Sequence, residues 1–173
     1  MQCFLYFFIL LDDMSSQQDV LIAREKAIQQ YESARHLLQI TFPLVKDPKL
    51  LMGVIHNISA SLEYSMNAIL AYERILRLVP IYGSEFQSRF NLFRLKSVKR
   101  NNIPQETINL INELRQVLDL HKKSPIEFQR GNKFVICNKD YELKVISIKE
   151  IQVYLDKTKE MLQIMQTITG KHF

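Results

Sequence analysis

The chain has 173 residues, with 23 Lys and Arg against 18 Asp and Glu, and 47% of it is apolar. That length suits one hydrophobic core, and a net charge of +5 neither marks nor excludes a nucleic-acid binder, because clustering of charge matters more than its sum. Two cysteines, Cys3 and Cys137, exclude a disulfide framework and a four-cysteine metal site, and four Gly with five Pro leave few places to interrupt helices.

Met1 to Leu11 reads MQCFLYFFILL without a charge. A membrane span needs about 20 apolar residues, and the stretch has neither the basic start nor the small-residue cleavage site of a secretory leader. Residues 1–13 therefore read as a non-native extension ahead of a true start at Met14, or as a flexible apolar N-terminus; a membrane-surface anchor is the rival reading. Residues 14–173 read as one helical-bundle domain of a cytoplasmic protein with no membrane partner.

The spacing predicts a first helix from Ser16 to Phe42. Ser15 or Ser16 can cap it and Asp19 suits the positive end of its dipole. Val20, Ala23, Ala27, Ala34 and Leu38 form a seam of mostly small residues that lets a partner helix come close. Pro43 is expected to stop it. Asp47 and Pro48 then give a cap and a first helical position, and Leu51, Ile55, Ile58, Leu62, Met66, Ile69 and Leu76 make one stripe on a second helix reaching Val79. Helices one and two are expected to pair as an antiparallel hairpin.

A third helix is expected from Ser84, with Gln87 completing a capping box and Phe86, Phe90 and Phe93 on its apolar face. Lys99 to Asn102 reads as a loop. Pro104 opens a fourth helix carrying Ile108, Ile111, Leu114 and Leu118. Ser124-Pro125-Ile126-Glu127 has capping-box spacing and reads as a single helical turn ended by Gly131, with Ile126 and Phe128 packed inward and Glu127 beside Arg130. Lys133–Cys137 and Tyr141–Ile146 favour strands around an Asn138-Lys139-Asp140 turn. Ser147 and Glu150 form a capping box, Ile146 and Ile151 a hydrophobic staple, and a last helix follows to Gly170. The expected fold is mainly α: an antiparallel bundle of about five helices with a small β-hairpin, about 133–146, before the last.

No glycine-rich phosphate loop, paired-cysteine motif or nucleophile elbow occurs in the sequence, so no cofactor and no metal are expected. Two sets of residues carry possible chemistry. His56, Glu63, Asn67 and Arg74 on the second helix fall within a band of roughly 40°, a polar stripe that is either a hydrogen-bonded site or a solvated flank. Arg89, Arg94, Lys96, Lys99 and Arg100 bring five cations with no acid between them. Phe90 and Phe93 interleave, and cations beside aromatic rings suit phosphate contact and base stacking. The same Phe spacing also fits a buried face.

Ala23-Arg24-Glu25-Lys26-Ala27 through Tyr31 to Leu38, with Ala60, Leu62, Tyr64, Ala68 and Leu70 on the second helix, resembles HEPN domains, helical bundles that include ribonucleases and partners of nucleotidyltransferases. The whole chain also resembles an archaeal-type protein family. The HEPN likeness implies an Arg followed shortly by a His as the cleavage pair, which Arg115 and His121 match by count. His121 would then assist proton transfer and Arg115 would stabilise phosphate charge. Six steps on a continuous helix turn about 240°, so the pair converges only where the helix ends or across a dimer interface. From the residues alone, the leading expectation is a non-enzymatic helical interaction module, homodimeric or bound to a protein partner. It is motivated by apolar residues outside the stripe of the second helix: Leu50, Val54, Ala68, Ala71, Tyr72 and Ile75. The alternative is a HEPN-like RNA-binding protein or ribonuclease.

Overall fold

The structure, a computed structural model, describes residues 2–131, 133–137 and 142–170, with side chains from residue 16 onward except Gln129. The first rod is α1 (Gln2–His36), a π-helical turn (Leu37–Thr41) and α2 (Phe42–Val45). The long α3 (Leu50–Ile75) comes next. A third rod joins α4 (Phe86–Leu92), a second π turn (Phe93–Ser97) and α5 (Val98–Arg100). Then come α6 (Gln105–Lys123), strands β1 (Ile126–Arg130), β2 (Lys133–Cys137) and β3 (Leu143–Ile146), and α7 (Ile148–Thr169). The fold is mainly α, with a small antiparallel sheet before the last helix, as the periodicity predicts.

The α1–α3 hairpin rests on the small-residue seam. Val20, Ala27 and Ala34 are fully buried, and the helices approach closely enough for Ser61 Oγ of α3 to donate to the Ala27 carbonyl at 2.8 Å. Leu51, Ile55, Ile58, Leu62, Met66 and Ile69 are fully buried beneath this seam and against α7 and α6. Of the further apolar residues of α3, Val54, Ala68 and Tyr72 are also buried, by the chain's own bundle. Leu50, Ala71 and Ile75 are half-buried, so most of the apolar breadth of α3 is covered within one chain.

Five boundaries differ from the sequence expectation. The first helix does not begin at Ser16: α1 runs unbroken from Gln2, so Ser15 and Ser16 lie within it and do not cap it. Pro43 does not stop the first rod. A proline ring clashes with the carbonyl four residues back, and the π turn before it widens the backbone, with the Phe42 N–H donating to Leu37 five residues back. Lys46 in the left-handed region (φ 56°) ends the rod instead. The second helix stops at Ile75 because Arg77 adopts φ 56° and the Leu78 N–H closes onto the Glu73 carbonyl, a Schellman-type end. Ser84 does not cap the third helix: Glu85 is its N-cap residue, with no side-chain bond, and Gln87 bonds Asn91 instead. The expected loop at Lys99–Asn102 begins later, since helix continues to Arg100.

The largest correction is at Ser124–Arg130. It is no helical turn: Ile126–Arg130 is β1, paired antiparallel with β2 from Ile126↔Cys137 to Arg130↔Lys133. Ile-Glu-Phe-Gln-Arg alternates apolar and polar, and β2 satisfies its backbone, whereas one helical turn leaves most of its N–H and C=O groups unpaired. Ser124 Oγ lies within hydrogen-bond distance of both the Ile126 and the Cys137 carbonyl oxygens, at 2.8 and 2.7 Å, pinning the start of β1 to the end of β2. Gly131, at φ 60°, makes the hairpin turn rather than ending a helix. The predicted hairpin is therefore two strands of a three-stranded sheet ordered β1-β2-β3. The Asn138-Lys139-Asp140 turn lies outside the described residues. The capping box at Ser147 is as predicted, with the Glu150 N–H donating to Ser147 Oγ at 3.3 Å, and Ile146 and Ile151 are both buried.

Two substitutions test the seam in urea unfolding. Leu62→Ala removes a fully buried side chain and should lower stability by about 2–5 kcal/mol. Ala27→Leu should cost about 1–3 kcal/mol by forcing α1 off α3. An unchanged midpoint for Ala27→Leu would show that the seam is not close-packed.

Candidate functional sites

The polar stripe and the basic segment meet. Arg89 of α4 donates from Nη1 to Asn67 Oδ1 at 2.7 Å and from Nη2 to Glu63 Oε1 at 3.0 Å, so two stripe residues and one segment residue form a single clasp between α3 and α4. Arg89 Nε is buried in it without a hydrogen-bond partner. Tyr82 lies nearby, and burial pushes its hydroxyl above the ordinary tyrosine value despite the charges of Arg74 and Arg89. Arg74 and His56 are exposed, and His56 is not drawn into the clasp.

Arg100 is the second structural cation. It pairs with Glu73 at 3.0 Å and caps the Leu78 carbonyl at 3.0 Å. Glu73 is 1% exposed and also accepts from Ser97 Oγ at 2.6 Å and Asn101 Nδ2 at 2.8 Å. A buried carboxylate with three donors ties α3 to α5. Arg94, Lys96 and Lys99 remain exposed. The rings expected beside them are elsewhere: Phe90 and Phe93 are buried, and Phe86 stacks on Phe90 at 5.5 Å while the Arg115 guanidinium covers its ring at 3.8 Å.

Arg115 and His121 go to different partners along one unbroken α6. Arg115 sits on Phe86 of α4. His121 bonds Glu127 of β1 through Nδ1 at 2.5 Å and meets Phe134 of β2 edge-on. Glu127 therefore pairs with His121, not with Arg130. Lys49, Met52, His121, Glu127, Phe128 and Phe134 line a groove of about 360 Å³ between the start of α3 and the edge of β1.

A further cluster has no counterpart in the sequence reading. Tyr154 Oη of α7 lies 2.7 Å from Glu113 Oε1 of α6 and 2.8 Å from Glu150 Oε1, and Lys144 Nζ of β3 reaches the same two atoms at 3.0 and 3.4 Å. Partial burial raises the Glu113 carboxyl, but hydrogen bonds from Tyr154 and Lys144 and the Lys144 charge bring it below the ordinary value. Burial lowers Lys144, yet its two carboxylate partners leave it raised. Burial and both carboxylates raise Tyr154 well above the ordinary range. The one signal was parity: Lys144 shares the inward face with Ile146 and Ile136, where a lone cation needs a partner.

The outer face of the sheet carries the opposite parity. Its rows are Ile126–Cys137–Leu143, Phe128–Val135–Val145 and Arg130–Lys133. Ile126, Phe128, Leu143 and Val145 are 52%, 42%, 57% and 40% exposed. Both sequence expectations of inward packing, for Ile126 and Phe128, are thereby corrected: alternation along β1 sends Glu127 inward and these two outward.

Comparison with protein-family models, curated proteins and solved structures finds no match. Among the described residues, no helix is long and apolar enough to cross a membrane, and no group of three His, Cys, Asp or Glu could hold a metal ion.

The Lys144 cluster sets a pH dependence whose sign is fixed. Glu113 is lowered, so its contribution is present above the unfolded carboxylate range, about 4.3, and is lost as pH falls through its folded value. Lys144 is raised, so its contribution is present below about 10.4 and is lost as pH rises through its folded value. Glu113→Gln should cost about 1 kcal/mol at neutral pH, the low end because the carboxylate is 41% exposed. It should also flatten both the acid and alkaline limbs of thermal stability against pH. Unchanged limbs would show that the cluster does not couple to folding.

Proposed function

We propose that this protein is a non-enzymatic interaction module that self-associates through the outer face of its sheet. The observation that carries the reading is the set of exposed apolar side chains on one face of the sheet, Ile126 and Phe128 of β1 and Leu143 and Val145 of β3, flanking the buried Val135 and Cys137 of β2. Isolated exposed apolar side chains are ordinary, but a contiguous set on a sheet face indicates a contact surface.

Size and charge favour a second copy. Three strands of up to five residues span roughly 14 by 17 Å, so each copy buries on the order of 240 Å², under a third of the ~800 Å² per partner of a stable complex. The dimer is therefore a weak, reversible one. Arg130 and Lys133 face each other across the ladder at one end of the face. A two-fold axis with antiparallel faces stacks the apolar rows and sends the cation pairs of the two copies to opposite ends, so like charges do not meet. The clasps of Arg89, Arg100 and Arg115 also support a contact role over a nucleic-acid one, because they use cations and rings to fix helices.

Sedimentation velocity from micromolar to millimolar protein tests this. The full chain should dimerise with a dissociation constant of about 10–100 µM, and Val145→Asp should weaken it more than about tenfold. A chain beginning at Met14 should dimerise equally. A monomer at millimolar concentration, or association that disappears with residues 1–13, would overturn the sheet face as the contact.

A further inference from the structure

The groove beside β1 shares Phe128 with the outer face but has a different chemistry. Its floor is apolar: Phe134 and Met52 are nearly fully buried beneath it, and the Phe128 ring forms a wall. Two polar groups stand over that floor. His121 is bonded to Glu127, and because a carboxylate only accepts, Nδ1 carries the proton. Nε2 is then the ring atom open to a ligand, and in the neutral imidazole it accepts. Lys49 lines the same groove, and no carboxylate among the described residues pairs with its ammonium. The opening N–H groups of α3 are already taken, by Asp47 Oδ1 and by the Asp47, Pro48 and Lys49 carbonyls. The positive charge on offer is therefore the side chain of Lys49.

The geometry points to a small-ligand site that takes a flat heteroaromatic ring bearing one anionic group. The ring lies on Phe134 and Met52 beside Phe128, a ring N–H or amino group donates to His121 Nε2, and Lys49 takes the anion. Glu127 does not touch the ligand; it fixes the tautomer and the plane of His121. A volume of about 360 Å³ is at the small end for ligand pockets, which run from roughly 300 to 1,000 Å³, and admits one ring system with its acidic group. The acid is either a phosphate, as in a mononucleotide, or a carboxylate, as in an aromatic acid. Charge and donor pattern are the same for both.

The test is an NMR titration of the full chain labelled at the methionine methyls, with adenosine 5′-monophosphate in one arm and indole-3-acetate in the other. The Met52 methyl should move in at least one arm with a dissociation constant of about 0.1–1 mM, while the buried Met66 and Met165 methyls hold still and report an intact core. The tighter arm identifies the phosphate or the carboxylate source. Lys49→Gln and His121→Gln should each weaken binding at least about fivefold, and Lys133→Gln, outside the groove, should not. Repeating the titration on Val145→Asp separates this site from the sheet-face contact, since a monomeric variant should still bind. No movement of Met52 at about 10 mM of either probe, or undiminished binding by Lys49→Gln, would overturn the assignment.

Discussion

α1 and α3 lie close because the residues between them are small. Ala27 and Ala34 present so little side chain that Ser61 reaches the backbone of the neighbouring helix. Bulkier residues would separate the helix axes by an ångström or more and open voids that interior packing does not tolerate. Close approach has a consequence for α3. With α1 on one side and α7 and α6 on others, α3 becomes the central helix, apolar almost all round, as a buried helix must be. Every other element is placed by where it can still reach it.

The polar residues of α3 follow from that central position. A helix surrounded by others has only narrow strips on which polar side chains survive, and each strip that is not in water must meet a donor or acceptor. Glu63 and Asn67 meet Arg89, and Glu73 meets Ser97, Asn101 and Arg100. Both clasps hold the α4–α5 rod, whose own apolar face is short. Its position is thus specified by charge where hydrophobic area is limited. Removing one side of such a contact leaves an uncompensated buried charge, which is why these residues act as fasteners and not as free surface cations.

The sequence made the helices legible wherever one period ran for several turns, as on α3, and wherever a cap was local, as at Ser147. It failed where the deciding contact was distant. Ser124-Pro125-Ile126-Glu127 satisfies a helix-start pattern, but pairing with β2, fixed by residues further along the chain, outweighs one turn of helix. Pro43 reads as a stop only for an α-helix; a π turn removes the clash that the rule assumes. The clasps were half visible. Glu63, Asn67, Arg89 and Arg100 all stood out by residue type, but a polar stripe and a basic run read as two separate surfaces until the hairpin geometry turns them toward each other. The Glu113–Lys144–Glu150–Tyr154 cluster left only the inward parity of Lys144 as a signal, since its members come from three elements.

Parity in the sheet accounts for the two surfaces on either side of β1. On β1 the inward side holds Glu127, and the outward positions hold Ile126 and Phe128. An ordinary sheet packed on a bundle does the reverse, with apolar residues inward and polar ones in water. β2 and β3 do place Phe134, Ile136 and Ile146 inward, and the outward Val135 and Cys137 of β2 are buried as well, so the exposed apolar residues of the sheet are Ile126 and Phe128 on β1 and Leu143 and Val145 on β3. An inverted edge strand gains nothing for the monomer: it exposes apolar area and turns an acid toward the interior side, where Glu127 then needs His121. One strand thus links the two open sites, and its inversion is the reason to look for occupants of both.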